Sequence, residues 1–124
     1  MSNDYDRSKE GLWISPEFLA DQITELKEVQ SLLKFSIKEH CQEEKSWDDK
    51  GILILMFEYY SCVVNQLKIY YDMLLAKPVL NKEQGKKEYL VNQNDISMLI
   101  SLANLARVND YSLQRDYHMS FTIH

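Results

Sequence analysis

Between a capping segment at residues 46–49 and Pro78, the sequence is apolar on nearly every side of a helix. At 100° per residue, Glu58, Ser61, Asn65, Lys68 and Asp72 fall within an arc of about 80°. Directly opposite lie Met56, Val63, Leu67 and Leu74, spaced like a heptad seam. Tyr59 and Tyr70 flank that seam on one side, Tyr60 and Tyr71 on the other. A helix with so narrow a polar stripe belongs at the centre of a fold, packed on several sides. Ser46, Trp47, Asp48 and Asp49 supply a cap and first-turn acids, and Pro78 pushes Lys77 out of the helical region. The spacing predicts a helix over 47–76.

That helix needs partners, and the preceding segment offers one. Ser15 is a good N-cap, Pro16 suits the first helical position, and Glu17 suits the positive helix end. Ile14 and Leu19 occupy the positions of a hydrophobic staple. Leu19, Ile23, Leu26, Val29, Leu33 and Ile37 then recur every three or four residues, predicting an amphipathic helix over 16–44. Leu12 and Trp13 are expected to fold back over the core as a lid.

Later signals are weaker. KEQGKK at 82–87 reads as a linker, with Gly85 opposing a longer helix. Asn94 and Asp95 form a cap, and Ile96, Leu99, Ile100, Ala103 and Ala106 predict a third helix over 95–108 that stops at Asn109 and Asp110. Residues 117–124 alternate apolar and polar, a strand pattern, and the other strand-like stretch is 88–91. The expected fold is mainly α: a long antiparallel helical hairpin plus a third, shorter helix, a three- to four-helix bundle with a small C-terminal β element. Residues 1–11 are read as a disordered polar N-terminus and 12–124 as one domain. The first two helices would each run about 43 Å and the third about 21 Å, at 1.5 Å per residue. The third would leave part of the second uncovered, to be closed by 79–93, the tail, a second copy or a partner.

Composition narrows the function. The chain has 124 residues, 45% apolar and 27% charged, with 3 Gly and 2 Pro, an ordinary balance for one globular domain. Its 14 aromatic residues, 8 Tyr, 4 Phe and 2 Trp, argue against wholesale disorder. Net charge is −5 and the isoelectric point about 5.1, which opposes direct nucleic-acid binding. The acidic excess is local. Residues 1–50 hold 12 acids and 7 bases, while 51–124 hold 7 of each. The opening residues lack the apolar core of a secretory signal. The longest unbroken apolar run, 52–57, is far short of the roughly 20 residues that span a bilayer. Cys41 and Cys62 stand at different distances from the expected hairpin turn, about 20 Å apart along the axes, too far for a disulfide. They read as free thiols, and the chain as cytoplasmic.

No constellation predicts catalysis. His40 and Cys41 are adjacent and so point about 100° apart, a poor ligand pair, and no CxxC, HxxxH or ExxH spacing occurs. Cys41 sits near a helix C-terminus and Cys62 among apolar neighbours, where neither thiol is activated. Arg115 precedes His118 by three residues and His124 by nine, the wrong spacing for a helical RNase. Neither cofactor nor metal is expected. Four carboxylates, Glu43, Glu44, Asp48 and Asp49, bracket the first turn, without the pattern of an EF-hand. They read as turn acids or as an acidic tip that meets lysines and arginines of another protein.

The expected function is therefore a small acidic protein-binding module that inhibits or regulates a basic protein partner. Its profile is that of dedicated inhibitor, immunity and antitoxin proteins, an association rather than a derivation. A toxin that attacks nucleic acid is the natural sort of basic target. Glu43, Glu44, Asp48, Asp49, Tyr59 and Tyr70 are the expected partner-binding residues. The alternatives are a structural homodimer and a small-ligand binder or enzyme using the polar stripe of the second helix.

Overall fold

The computed structural model describes residues 11–42 and 49–121. In chain order it comprises β1 (Leu12–Ile14), α1 (Pro16–Gln42), α2 (Asp49–Ala76), β2 (Val79–Asn81), β3 (Lys86–Val91) and α3 (Gln93–Tyr117). It is mainly helical, three helices with a small three-stranded antiparallel sheet.

α1 begins as its cap chemistry requires: the Phe18 amide donates to Ser15 Oγ at 3.1 Å. α2 lies in the middle and packs against both other helices. Its buried arc carries Met56, Tyr59, Val63, Leu67 and Tyr70, and all five polar-stripe residues opposite are exposed. Leu74, on the predicted buried seam, is 43% exposed, because the last turns of α2 bury instead the face that carries Ile69, Tyr70 and Met73 against the sheet. By length and composition alone, Lys50–Ala76 could cross a bilayer, although no unbroken apolar run is that long. Lys77 leaves the helix at φ 64° immediately before Pro78.

α3 departs from expectation at both ends. Asn92, not Asn94, is its cap. Asn92 Oδ1 accepts from the Asp95 amide at 2.8 Å, while Asn92 Nδ2 donates to Asp95 Oδ2 at 3.3 Å. The helix also runs through Asn109 and Asp110 to Tyr117. Tertiary packing overrides the low helix propensity of that pair: Asn109 is buried, and Asp110 accepts a hydrogen bond from Gln114 Nε2 one turn on. Leu113 and Tyr117 carry the apolar repeat past the expected stop. His118 ends it in the left-handed conformation, with its amide bonded to the Gln114 carbonyl and the Met119 amide to that of Leu113. At 25 residues, α3 is about 37 Å long, and the predicted shortfall in covering α2 largely disappears.

The β element is present, but not at the C-terminus. Residues 118–121 are not strand, and 122–124 lie outside the described residues. The sheet order is β1-β3-β2, with Trp13 opposite Leu90 and Leu80 opposite Lys87. Thus 88–91 is a strand, but it pairs with the segment expected to be a lid. The expected linker divides into a turn and the start of β3, closed by the Gly85 amide on the Asn81 carbonyl at 2.8 Å. Gly11, at φ 99°, passes so close to β3 that a Cβ would land on the Val91 carbonyl oxygen. The tail instead crosses the helices. Phe121 is buried, its ring edge-on to Tyr59 with centroids 6.1 Å apart.

Two apolar clusters result. One joins α1, α2, α3 and the tail around Leu33, Met56, Val63, Leu67 and Leu113. The other seats the sheet on the helices through Leu19, Ile69, Tyr70, Met73, Tyr89 and Val91.

Candidate functional site

The expected partner-binding residues divide. Glu43, Glu44 and Asp48 lie outside the described residues, as do residues 1–10 and the cap at Ser46 and Trp47. Asp49 opens α2. Tyr59 and Tyr70, expected at a partner-facing surface, lie in the chain's own core at 7% and 8% exposure. The reason is their place on α2's inner arc: Tyr59 meets the tail, and Tyr70 meets the cluster beneath the sheet. Burial pushes the Tyr70 phenol above its ordinary pKa. Burial also raises the Cys62 thiol, and the Glu58 carboxylate raises it further. Cys62 is buried, Cys41 is exposed, and both are free thiols.

All five residues of the polar stripe of α2 are exposed, and Lys68 and Asp72 at its C-terminal end line an open concavity of about 350 Å³ together with Gln30, Val64, Leu67 and Tyr71. Among the described residues no group of three or more His, Cys, Asp or Glu is placed to hold a metal ion. Arg115 is held by its neighbour Asp116, with both guanidinium contacts at 2.8 Å, and its guanidinium lies 5.5 Å from the Tyr111 ring centroid.

The surface that stands out is the outward face of α1. Glu17, Asp21, Glu25, Glu28, Leu32, Phe35 and Glu39 follow one another at steps of four or three residues, and every one is exposed. At 100° per residue they occupy an arc of about 80°. The three lysines of the helix, Lys27, Lys34 and Lys38, gather on a separate arc of about 40°. Helix geometry therefore sorts α1 into an acidic stripe and a basic flank. Among the described residues, none of the five carboxylates accepts a hydrogen bond or joins an ion pair. Leu32 and Phe35 interrupt the stripe at 45% and 63% exposure. A concavity of about 500 Å³ opens on the same side, lined by Thr24, Lys27, Glu28, Ser31 and Leu32. Sequence reasoning followed the apolar repeat of this helix. The same step of three and four, counted on its polar side, would have found the stripe.

Compared with family models, curated proteins and solved structures, the chain matches none.

Proposed function

We propose that this chain is a non-catalytic protein-binding module that holds a basic protein partner against the outward face of α1, in the manner of an inhibitor or immunity protein. The observation that carries this reading is the stripe of five carboxylates, unpaired among the described residues and interrupted by two exposed apolar side chains. Each component has a separate physical task. Carboxylates gathered on one face create a local field that speeds encounter with a positive surface. Leu32 and Phe35 supply apolar area that slows dissociation once docked, as interface anchors do. In chain order Glu43, Glu44, Asp48 and Asp49 follow the stripe and add to the acidic charge of this half of the chain. A basic enzyme that acts on nucleic acid presents the matching positive surface. The chain meets it in a cytoplasmic setting.

The test reverses Glu17, Asp21, Glu25 and Glu28 to Lys and measures association with the partner recovered from the native host. The expected result is an association rate at least tenfold slower with a reduced salt dependence, while the circular dichroism spectrum stays helical. Reversal of Glu58, Asp72, Glu83 and Asp95 is the control at equal net charge. Equal loss in both variants would overturn the reading, because global charge alone would then account for binding.

A second reading, a homodimer, is favoured by α3. Met98, Ser101, Leu105, Val108 and Ser112 recur there at three and four residues with no charged residue among them, and Met98, Leu105 and Val108 are about half exposed. Sedimentation equilibrium over a wide concentration range distinguishes the two, since Leu105→Glu would abolish a dimer built on that seam and leave capture of a basic partner intact.

A further inference from the structure

The outward side of α2 carries a second pattern beside its polar stripe. From Ile54, steps of three and four residues reach Phe57, Ser61 and Val64, and then Lys68, Tyr71 and Leu75, and every one of these side chains is exposed. Alternating steps of three and four make the heptad repeat of a coiled-coil seam, and from Ile54 to Leu75 it runs about 32 Å. Ile54 and Phe57 are at least half exposed, and Leu75 is 81% exposed. α1 and α3 pack on the opposite arc of the helix, around Met56, Val63 and Leu67, and leave the row bare. A folded chain rarely leaves so long an apolar row in water without a use.

The order of side chains along the row says what fits it. Bulky members stand at both ends, Ile54 and Phe57 at one and Tyr71 and Leu75 at the other, with the smaller Ser61 and Val64 between. Reversed end for end about a point between Ser61 and Val64, the row matches itself: Ile54 falls opposite Tyr71, and Ser61 opposite Val64. That is the relation a two-fold axis imposes on two copies of one helix. The charges obey the same axis. Glu58 flanks the row and Lys68 lies on it, about 15 Å further along the helix. Neither joins an ion pair among the described residues. In an antiparallel pair each Glu58 meets the partner's Lys68. In a parallel pair like charges would meet at both positions.

We propose that this row is where a second copy of the chain docks, with two α2 helices packed antiparallel about a two-fold axis between Ser61 and Val64. The small Ser61 lets the helices approach most closely at the axis. The concavity beside Val64, Lys68 and Tyr71 receives the partner's Ile54 and Phe57. The two Glu58–Lys68 pairs fix the register and the antiparallel sense, as flanking charges do in coiled coils. This surface is neither the acidic stripe of α1 nor the seam of α3, and it stands if either of those readings fails.

Sedimentation equilibrium of the full chain over a wide concentration range should show a reversible monomer–dimer equilibrium. Val64→Glu sets a charge beside the axis on both copies and should abolish the dimer while the circular dichroism spectrum stays helical. Glu58→Lys and Lys68→Glu, both on exposed positions, should each weaken self-association about tenfold. Mixed in equal amounts, these two variants should dimerise again, because each carries the charges that the other now needs. Leu105→Glu, on α3, should leave the dimer intact. If Val64→Glu fails to fold, the two charge variants and their mixture still decide. A chain that is monomeric at every concentration, a folded Val64→Glu that still dimerises, a dimer lost in Leu105→Glu, or no recovery on mixing would each overturn the proposal. Vesicles of phosphatidylcholine and phosphatidylglycerol supply the last arm. A monomer that binds them, and loses them in Val64→Glu, would assign the row to a membrane surface instead.

Discussion

Leu67 and Glu58 stand on opposite faces of one helix and show how sharply burial divides single residues. Leu67 is 4% exposed within the main cluster, whereas Glu58 faces water. Leu67→Ala should lower unfolding free energy by about 2–5 kcal/mol in urea titrations. Glu58→Ala should change it by no more than about 0.5 kcal/mol. A larger effect at Glu58 would mean that the stripe is buried. Asn109 makes the opposite case. Its Nδ2 is buried without a hydrogen-bond partner, so the position carries a desolvation cost that an apolar residue of similar size avoids. Asn109→Leu should therefore raise stability by about 1 kcal/mol, read from the urea midpoint at constant slope.

At the scale of elements, the C-terminal segment is a plug rather than a strand. Alternating side chains fit an extended chain whether or not it pairs, and here Met119 and Phe121 turn toward the cluster while the intervening Ser120 stays exposed. Phe121→Ala should cost about 3 kcal/mol, a loss that does not depend on protein concentration. A concentration-dependent loss would instead place the ring at an interface between copies. The strand at 86–91 took β2 as one neighbour across the short turn at 82–85, and β1, distant in sequence, as the other. Gly11 makes that possible by letting the chain pass directly against β3.

For the whole molecule, stability should fall on the alkaline side. Cys62 and Tyr70 both have pKa values raised on folding, chiefly because burial penalises their anions. Stability from such groups is fully present below the unfolded pKa and is lost as pH rises through the folded one. With ordinary values of 9.0 for the thiol and 10.0 for the phenol, the loss begins near pH 9 and deepens above pH 10. Urea midpoints at pH 7, 9 and 10.5 should decline in that order. Tyr70→Phe should flatten the decline between pH 9 and 10.5, and an unchanged slope would remove Tyr70 from the account.

The sequence by itself determined that the chain is helical, that its most apolar helix is central, and which face of that helix meets water. These follow from local periodicity: a side chain's direction on a helix is set by its residue number, and apolar area must leave water wherever the helix is placed. Ser15 and Pro78 marked their helix ends because caps and breakers act within a few residues. Only the tertiary structure decided that α3 runs through Asn109 and Asp110, since packing around Asn109 and Leu113 outweighs a propensity of a few tenths of a kcal/mol per residue. It also decided that Leu12–Ile14 pairs with Lys86–Val91, a choice between distant segments that no local pattern encodes. Tyr59 and Tyr70 were readable as flanks of a seam, but whether a flank meets solvent or a neighbour depends on where the other helices lie. The bare row on α2 exists for the same reason. Its heptad spacing is in the sequence, but that α1 and α3 leave it exposed is set by the packing of the whole chain.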